Sequence, residues 1–197
     1  LANIGDSAQI TSIDPPDGST QASLCAKFYP VARDSLLEMH PWDFATKRKA
    51  LVAVDNLRTE WQYAYSVPSD VASVIAIMPP DARDDQYDYK TKVAQKYIIE
   101  SDSYGNRILY TNQQDANIRY TAKVADSTAF SKLFVISLSW HLSGMLAGPI
   151  IKGDVGAAEA RRCSQMMAFY MSKATQHDSI NKQLVPPTHT APWMSNR

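Results

Sequence analysis

From residue 129 to residue 146 the chain reads AFSKLFVISLSWHLSGML. Apolar side chains recur here at nearly every helical angle, so the pattern predicts an α-helix that is apolar almost all round. Such a helix is buried on several sides, either in a core or at a subunit interface. We expect Asp126 or Ser127 to cap its start and Gly148-Pro149 to break it.

A second helix is predicted to follow from Gly153-Asp154 to about His177. Its apolar positions form one stripe, which consists of Ala157, Ala160, Cys163, Met166, Met167, Tyr170 and Ala174. The break between the two helices is short, and this predicts an antiparallel helical hairpin.

A third helix is predicted earlier in the chain, from a cap at Ser19 or Thr20 to about Met39. Pro30 falls inside it. A proline in a helix interior costs about 3 kcal/mol because it removes a hydrogen bond and clashes with the preceding turn. We therefore expect a kink at Pro30 or a break into two pieces.

Residues 42–124 resemble short strands separated by turns. The predicted strands cover residues 47–54, 60–65, 97–100, 107–110 and 117–123. Alternation predicts that Trp61, Tyr63 and Tyr65 share one strand face. A turn is expected at residues 68–70, where Ser69 or Asp70 can cap a short helical turn.

The predicted fold is therefore α+β, with three to four main helices and a small antiparallel β-rich part inserted in the middle. Residues 1–41 and 126–178 are expected to form a helical bundle, and residues 42–125 the inserted part. Residues 179–197 contain three prolines and cannot form a core of their own, so we expect them to be an extended C-terminal arm.

Composition and charge restrict the function. The chain has 20 basic and 20 acidic residues, hence zero net charge, whereas non-specific nucleic-acid binding needs excess positive charge. The two cysteines have no metal-type spacing, and we expect both to be reduced and buried. No secretory signal is recognised at residues 1–5, and the first residue is Leu, so we expect residues upstream of this numbering. Polar residues interrupt the longest apolar stretch, so no membrane span is predicted.

Few residues suggest chemistry. None of the four histidines has metal-ligand spacing, and His141 is interpreted as a core or interface histidine. The acidic loop with Asp84, Asp85 and Asp88 is interpreted as solvated surface, with a weak cation site as the alternative. No catalytic motif and no cofactor motif is found, so we expect neither enzymatic activity nor a cofactor.

The basic cluster Lys47, Arg48 and Lys49 has two interpretations. It is either a solvated strand edge, where lysine discourages aggregation, or a patch that contacts phosphates or an acidic partner.

Four blocks, in order along the chain, together resemble one protein family. Residues 1–13 (LANIGDSAQITSI) resemble "LA-IG---I-SL", and residues 29–45 (YPVARDSLLEMHPWDFA) resemble "Y---RD-LL---PW-FA". Residues 61–70 (WQYAYSVPSD) resemble "W-YAY-LP-D", and residues 192–197 (PWMSNR) are similar to an ending that carries tryptophan and arginine. The family is that of tail tubular protein A, the head-to-tail adaptors of short-tailed bacteriophages.

This resemblance implies a virion protein at the head–tail junction, assembled in the host cytoplasm. It implies a ring of copies of the chain, usually twelve, between the portal protein and the tail nozzle protein. Genomic DNA would leave the capsid through the bore without sequence-specific binding, and some relatives attach tail fibres to the outer face. Interface residues are expected at Pro192, Trp193 and Arg197 in the arm, and at Trp140 and His141 in the apolar helix.

Two other functions remain open at this point. One is a neck or head-completion protein of another tailed phage, which ring size and portal binding would distinguish. The other is a wall-degrading tail enzyme, which would need two carboxylates in a cleft.

Deletion of residues 185–197 is predicted to abolish docking to the portal and to leave the fold intact. Tryptophan and arginine are the residue types that contribute most to interfaces, up to a few kcal/mol each, and the arm contains both. Thermal unfolding followed by circular dichroism checks the fold, and co-sedimentation with portal rings checks docking. Truncated protein that still fills the portal sites would contradict this role of the arm.

Overall fold

The computed structural model describes residues 1–82 and 95–181. Within these ranges it contains three α-helices and two small antiparallel sheets, so the predicted α+β class is confirmed. The helices are α1 (Thr20–Met39), α2 (Lys132–Ile151) and α3 (Gly153–Asn181). The strands are β1 (Thr46–Ala50), β2 (Val52–Val54), β3 (Tyr63–Ser66), β4 (Val71–Met78), β5 (Tyr97–Ser101), β6 (Arg107–Thr111) and β7 (Asn117–Ala122).

Helix α1 begins where the sequence predicts. The Ser19 side chain caps it by accepting a hydrogen bond of 3.1 Å from the Ala22 amide. Of the two outcomes expected at Pro30, a kink or a break, the break is wrong, because α1 continues through this residue to Met39. Its buried face extends on both sides of the proline, and we attribute the continuity of the helix to this packing. That face consists of Ala22, Cys25, Ala32, Leu36 and Leu37.

Both predicted boundaries of α2 are wrong. Ser131 caps the helix, since its hydroxyl accepts from the Phe134 amide, whereas Asp126 caps a separate 3-10 turn before it. Pro149 lies inside α2, which ends at Ile151. The chain reverses at Lys152 and Gly153, whose φ angles are 61° and 60°. A right-handed helix cannot continue through such residues.

The predicted antiparallel pairing of α2 and α3 is confirmed. A Cβ added at Gly144 would lie 3.6 Å from Cys163, and one added at Gly156 would lie 3.1 Å from the Ala147 carbonyl oxygen. The second distance is too short for a comfortable contact, so glycine at 156 lets the two helices approach closely near their connection.

The strands form two sheets that share one core. The first sheet has the order β1-β7-β4 and the second β2-β3-β6-β5, with every pair antiparallel. The core between them includes Tyr65, Ile77, Leu109, Ile118 and Tyr120. The predicted strand 47–54 is divided at Leu51, so that β1 and β2 belong to different sheets. The predicted hairpin is confirmed as β5 and β6.

Two details of the region before β4 differ from prediction. Trp61 does not share a face with Tyr63 and Tyr65, because β3 begins only at Tyr63. Its indole packs on the opposite face of the sheet, where the cluster comprises Ala64, Ile108 and Tyr110. A turn is present at residues 69–70, but strand β4 follows it directly and the expected helical turn is absent there.

An aromatic cluster joins the helices to the sheets. Trp42 is fully buried, and its indole N–H donates a hydrogen bond of 2.8 Å to the Leu36 carbonyl in α1. The ring of Phe134 in α2 lies 5.0 Å from that of Trp42, and Phe44 and Phe130 complete the cluster. The end of α1, the start of α2 and the entry to β1 therefore meet at one point.

Two predicted features lie outside the described residues. These are the acidic loop with Asp84, Asp85 and Asp88, and the arm residues Pro192, Trp193 and Arg197.

Replacing Trp42 with Phe is predicted to lower the free energy of unfolding by about 1–3 kcal/mol, since the substitution leaves the Leu36 carbonyl without its donor and creates a small cavity. Urea unfolding followed by circular dichroism measures the change. Trp61→Phe is the matched control and is expected to cost less, because Trp61 is only partly buried and packs at the sheet surface. Equal effects of the two substitutions would contradict the role assigned to Trp42.

Candidate interaction surface

His141 makes its polar contact inside the subunit. Its Nε2 lies 2.9 Å from the Ser35 hydroxyl of α1. Burial lowers the pKa of His141 below its ordinary value. The contact joins α1 to α2 and accounts for the histidine within one chain. Its predicted role at a subunit interface stays a prediction.

Residues 1–5 lie across part of α2. The Asn3 side-chain amide donates to the hydroxyls of Ser139 and Ser143, at 3.4 and 3.2 Å. Ile4 is buried in a cluster that includes Leu146 and Ala147. The N-terminal residues therefore cover the C-terminal half of the α2 surface that neither α1 nor α3 covers.

Trp140 lies at the border of this covered region. The Arg162 guanidinium of α3 lies over its ring, 5.1 Å from the centroid, and donates a hydrogen bond of 2.7 Å to the Asn3 carbonyl. Arg162 also bonds the Glu159 carboxylate, and this contact holds the pKa of Glu159 below its ordinary value. Trp140 is thus half-covered by its own chain, and its contact with a neighbouring subunit stays a prediction.

Beyond Trp140 the apolar surface is open. Ile136 in α2 retains 37% of its exposure and Phe169 in α3 retains 55%. Gly144 lies opposite Cys163 across the hairpin. In two antiparallel helices, a residue eight positions before Gly144 lies opposite one about eight positions after Cys163. Ile136 is therefore level with about Met171, within one turn of Phe169. The Lys173 ammonium lies 5.7 Å from the centroid of the Phe169 ring.

We call this surface the α2–α3 face. It comprises Ile136, Trp140, Arg162, Phe169 and Lys173. Aromatic residues and arginine are enriched in protein interfaces, and this face contains both. On α2, Val135 is also exposed, at 42%.

An apolar cavity of about 430 Å³ lies between residues 1–13, α1 and α2. Its lining includes Leu1, Ile13, Cys25, Tyr29 and Leu142. Burial raises the pKa of the Cys25 thiol, so the group stays protonated and is a poor nucleophile. The lining is therefore suited to apolar contact rather than to catalysis.

The basic cluster occupies β1, which is an edge strand of the first sheet. Lys47 bonds Asp70 at 3.1 Å, and Asp70 also accepts from the Tyr120 hydroxyl. Burial acts to raise the pKa of Asp70, but these two bonds together hold it below its ordinary value. Lys49 is exposed, as is Arg48. The edge-strand interpretation of the cluster agrees with this position, and its contact with a partner stays a prediction.

Other groups with chemical potential are few. Both cysteines are free and buried, as predicted. Residues 1–82 and 95–181 contain no group of three or more His, Cys, Asp and Glu side chains that could hold a metal ion. Helix α2 alone among the described helices is long and apolar enough to cross a membrane by length and composition, and about a third of that segment is buried in the fold.

Sequence reasoning identified Trp140 but missed Phe169, Lys173 and Ile136 as surface residues. The signal for Phe169 was available, because this phenylalanine falls outside the apolar stripe of α3. A large aromatic residue on the polar side of an amphipathic helix indicates an interaction surface. Ile136 could not be assigned, since α2 is apolar at nearly every angle.

No protein-family model matches the chain, and no curated protein is similar to it in sequence.

Replacing His141 with Gln is predicted to reduce the loss of stability between pH 7.5 and about pH 5. The folded-state pKa of His141 lies below its ordinary unfolded value. The unfolded chain therefore binds a proton first as the pH falls, and stability decreases through that window. Urea unfolding of the wild type and the variant at several pH values measures the slope. An unchanged slope in His141→Gln would contradict the prediction.

Proposed function

We propose that this chain is the head-to-tail adaptor of a short-tailed bacteriophage. In this role copies of the chain form a ring between the portal protein and the tail nozzle protein. The ring is a structural part of the virion, and genomic DNA passes through its bore. The proposal combines the resemblance of four sequence blocks with one structural observation.

That observation is the open apolar surface of the α2–α3 face. Ile136, Phe169 and the neighbouring Val135 remain exposed after the subunit has folded. Exposed apolar surface that extends over several side chains marks an interaction site. When one surface of a subunit binds a different surface of the next copy, the contact repeats and generates a ring where the rotation between copies closes.

The resembling block at residues 29–45 supports the proposal through its structural role. It contains Leu36, Leu37 and Trp42, which are fully buried. The block therefore builds the junction between α1, α2 and the sheets, so the resemblance concerns residues on which the fold depends. A likeness confined to surface loops would support a shared fold less strongly.

The charge of the chain also agrees with the proposed role. Its 20 basic and 20 acidic residues cancel. A bore through which DNA slides during ejection should not hold the phosphates, because each neutralised phosphate adds to binding. The C-terminal arm is assigned to the portal from its sequence alone.

Ile136→Asp is predicted to abolish assembly, since a carboxylate buried at an interface without a partner costs several kcal/mol. Sedimentation velocity of the chain, alone and mixed with portal rings of the same phage, measures assembly. Ile98→Asp is the matched control, because Ile98 is exposed to a similar extent, 41%, but lies on β5. The control is expected to assemble like the wild type.

Two results would count against the proposal. Wild-type protein that stays monomeric both alone and with portal would remove the adaptor role. Rings that form and bind a portal of different symmetry, or none, would favour a neck or head-completion protein.

A further inference from the structure

Residues 1–10 form a segment that is attached to the helices at few points, and we call this segment the strap. Within the described part of the chain, each backbone–backbone hydrogen bond of the strap joins two of its own residues, as the bond from the Ile4 amide to the Leu1 carbonyl does. Ile4 alone among these ten residues is buried. The strap therefore depends on side-chain contacts to stay in place.

Asn3 makes the main polar contacts between the strap and the helices. Its side-chain amide donates to two serine hydroxyls of α2, and its carbonyl accepts the bond of 2.7 Å from Arg162 of α3. A longer contact of 3.5 Å joins Asp6 to the Gln21 amide of α1. We call Asn3 and Arg162 the latch, because their bonds hold the free end of the strap on α2 and α3.

The strap does not fill the space beneath it. The apolar cavity of about 430 Å³ lies between the strap residues Leu1 and Ile10 on one side and Cys25 and Leu142 of the helices on the other. Side chains that border a void lose the dispersion contacts that dense packing would give them. Cys25 is nevertheless only 5% exposed. The strap thus encloses its sulfur without packing tightly against it.

The other end of the strap is tied to the start of α1. Asp17 accepts hydrogen bonds from the Thr11 amide and hydroxyl, at 2.8 and 3.2 Å. It also accepts from the amide and hydroxyl of Ser19, which caps α1. These bonds fix the chain immediately after the strap, so the strap can rotate about residue 11 while the turn before α1 keeps its shape.

We propose that the strap opens over the cavity while the rest of the subunit stays folded. Breaking the latch releases the free end, and the bonds of Thr11 to Asp17 retain the other end. Segments with few buried apolar contacts open at a much lower free energy than the core of a protein. Opening exposes the Cys25 thiol and the apolar surface around Leu146 that the closed strap covers.

Arg162 belongs both to the latch and to the α2–α3 face. Its guanidinium lies over the Trp140 ring and bonds the Asn3 carbonyl. A protein that covers this face therefore contacts the residue that holds the strap closed. The strap itself is a property of the single subunit and does not depend on the proposed ring.

The reactivity of the Cys25 thiol measures strap opening. The chain has two cysteines, so Cys163→Ala leaves Cys25 as the single target of a bulky thiol reagent, dithiobis(nitrobenzoate), at fixed pH. In this background Asn3→Ala and Arg162→Met are each expected to raise the labelling rate by about fivefold or more, the change expected for one lost hydrogen bond. Methionine keeps an apolar stem over Trp140 but cannot donate to the strap.

Two controls separate strap opening from unfolding. Asn56→Ala removes a similar amide bond, which the Asn56 side chain donates to the Trp61 carbonyl between β2 and β3, and should leave the rate at Cys25 unchanged. Ser137→Cys, in a chain without the natural cysteines, places a thiol where the wild-type side chain is fully buried in α2. Labelling there requires the helices to separate, so the latch substitutions should change that rate by less than about twofold.

Urea provides an independent measurement. Opening the strap exposes little surface, so the rate at Cys25 should change little with urea below the unfolding transition, whereas the rate in Ser137→Cys should rise steeply. A Cys25 rate that neither latch substitution changes overturns the strap, as does one that rises with urea as steeply as in Ser137→Cys. Latch substitutions that accelerate both thiols equally overturn it too. These results leave the adaptor proposal in place, because labelling is measured on the chain alone.

Discussion

The buried indole of Trp42 is the contact on which the arrangement of the subunit depends. It bonds the Leu36 carbonyl near the end of α1 and packs against Phe134 near the start of α2. Since the chain enters β1 a few residues later, one side chain fixes the helices relative to the sheets. The consequence is that α1 lies on one side of the α2–α3 hairpin, and the other side of the hairpin faces outward.

This arrangement leaves α2 with more apolar surface than the subunit can cover. α1 covers one side of α2, α3 covers a second, and residues 1–5 cover half of a third. Helices α2 and α3 pack closely at Gly144 and Cys163 and again at Gly156 and Ala147. The remaining surface, at Ile136 and toward Phe169, has no counterpart within the described chain. In the proposed ring, a neighbouring copy of the chain covers this surface.

The sequence predicts the helices well and their ends less well. Periodicity identifies α1 and α3, each of which buries one stripe, and α2 is identified by its long apolar run. The errors arise where tertiary packing overrides the local preference of a residue. Proline disfavours a helix interior, yet Pro30 and Pro149 both lie in continuous helices whose apolar sides remain buried. The division of residues 47–54 between two sheets depends on pairing with Tyr65 and Ile118, which lie at least ten residues away, and alternation carries no information about such partners. For the same reason the sequence does not predict the contact of His141 with Ser35, which lies 106 positions earlier. The α2–α3 face combines residues from two helices, so it too can be recognised only in the folded structure.

Electron microscopy of the purified chain mixed with portal rings tests the central claim most directly. The account predicts class averages with a closed ring of copies stacked coaxially on the portal, in which the α2–α3 face of each subunit is covered by its neighbour. Portal rings that remain bare, or that carry isolated subunits with no contact between neighbours, would contradict it.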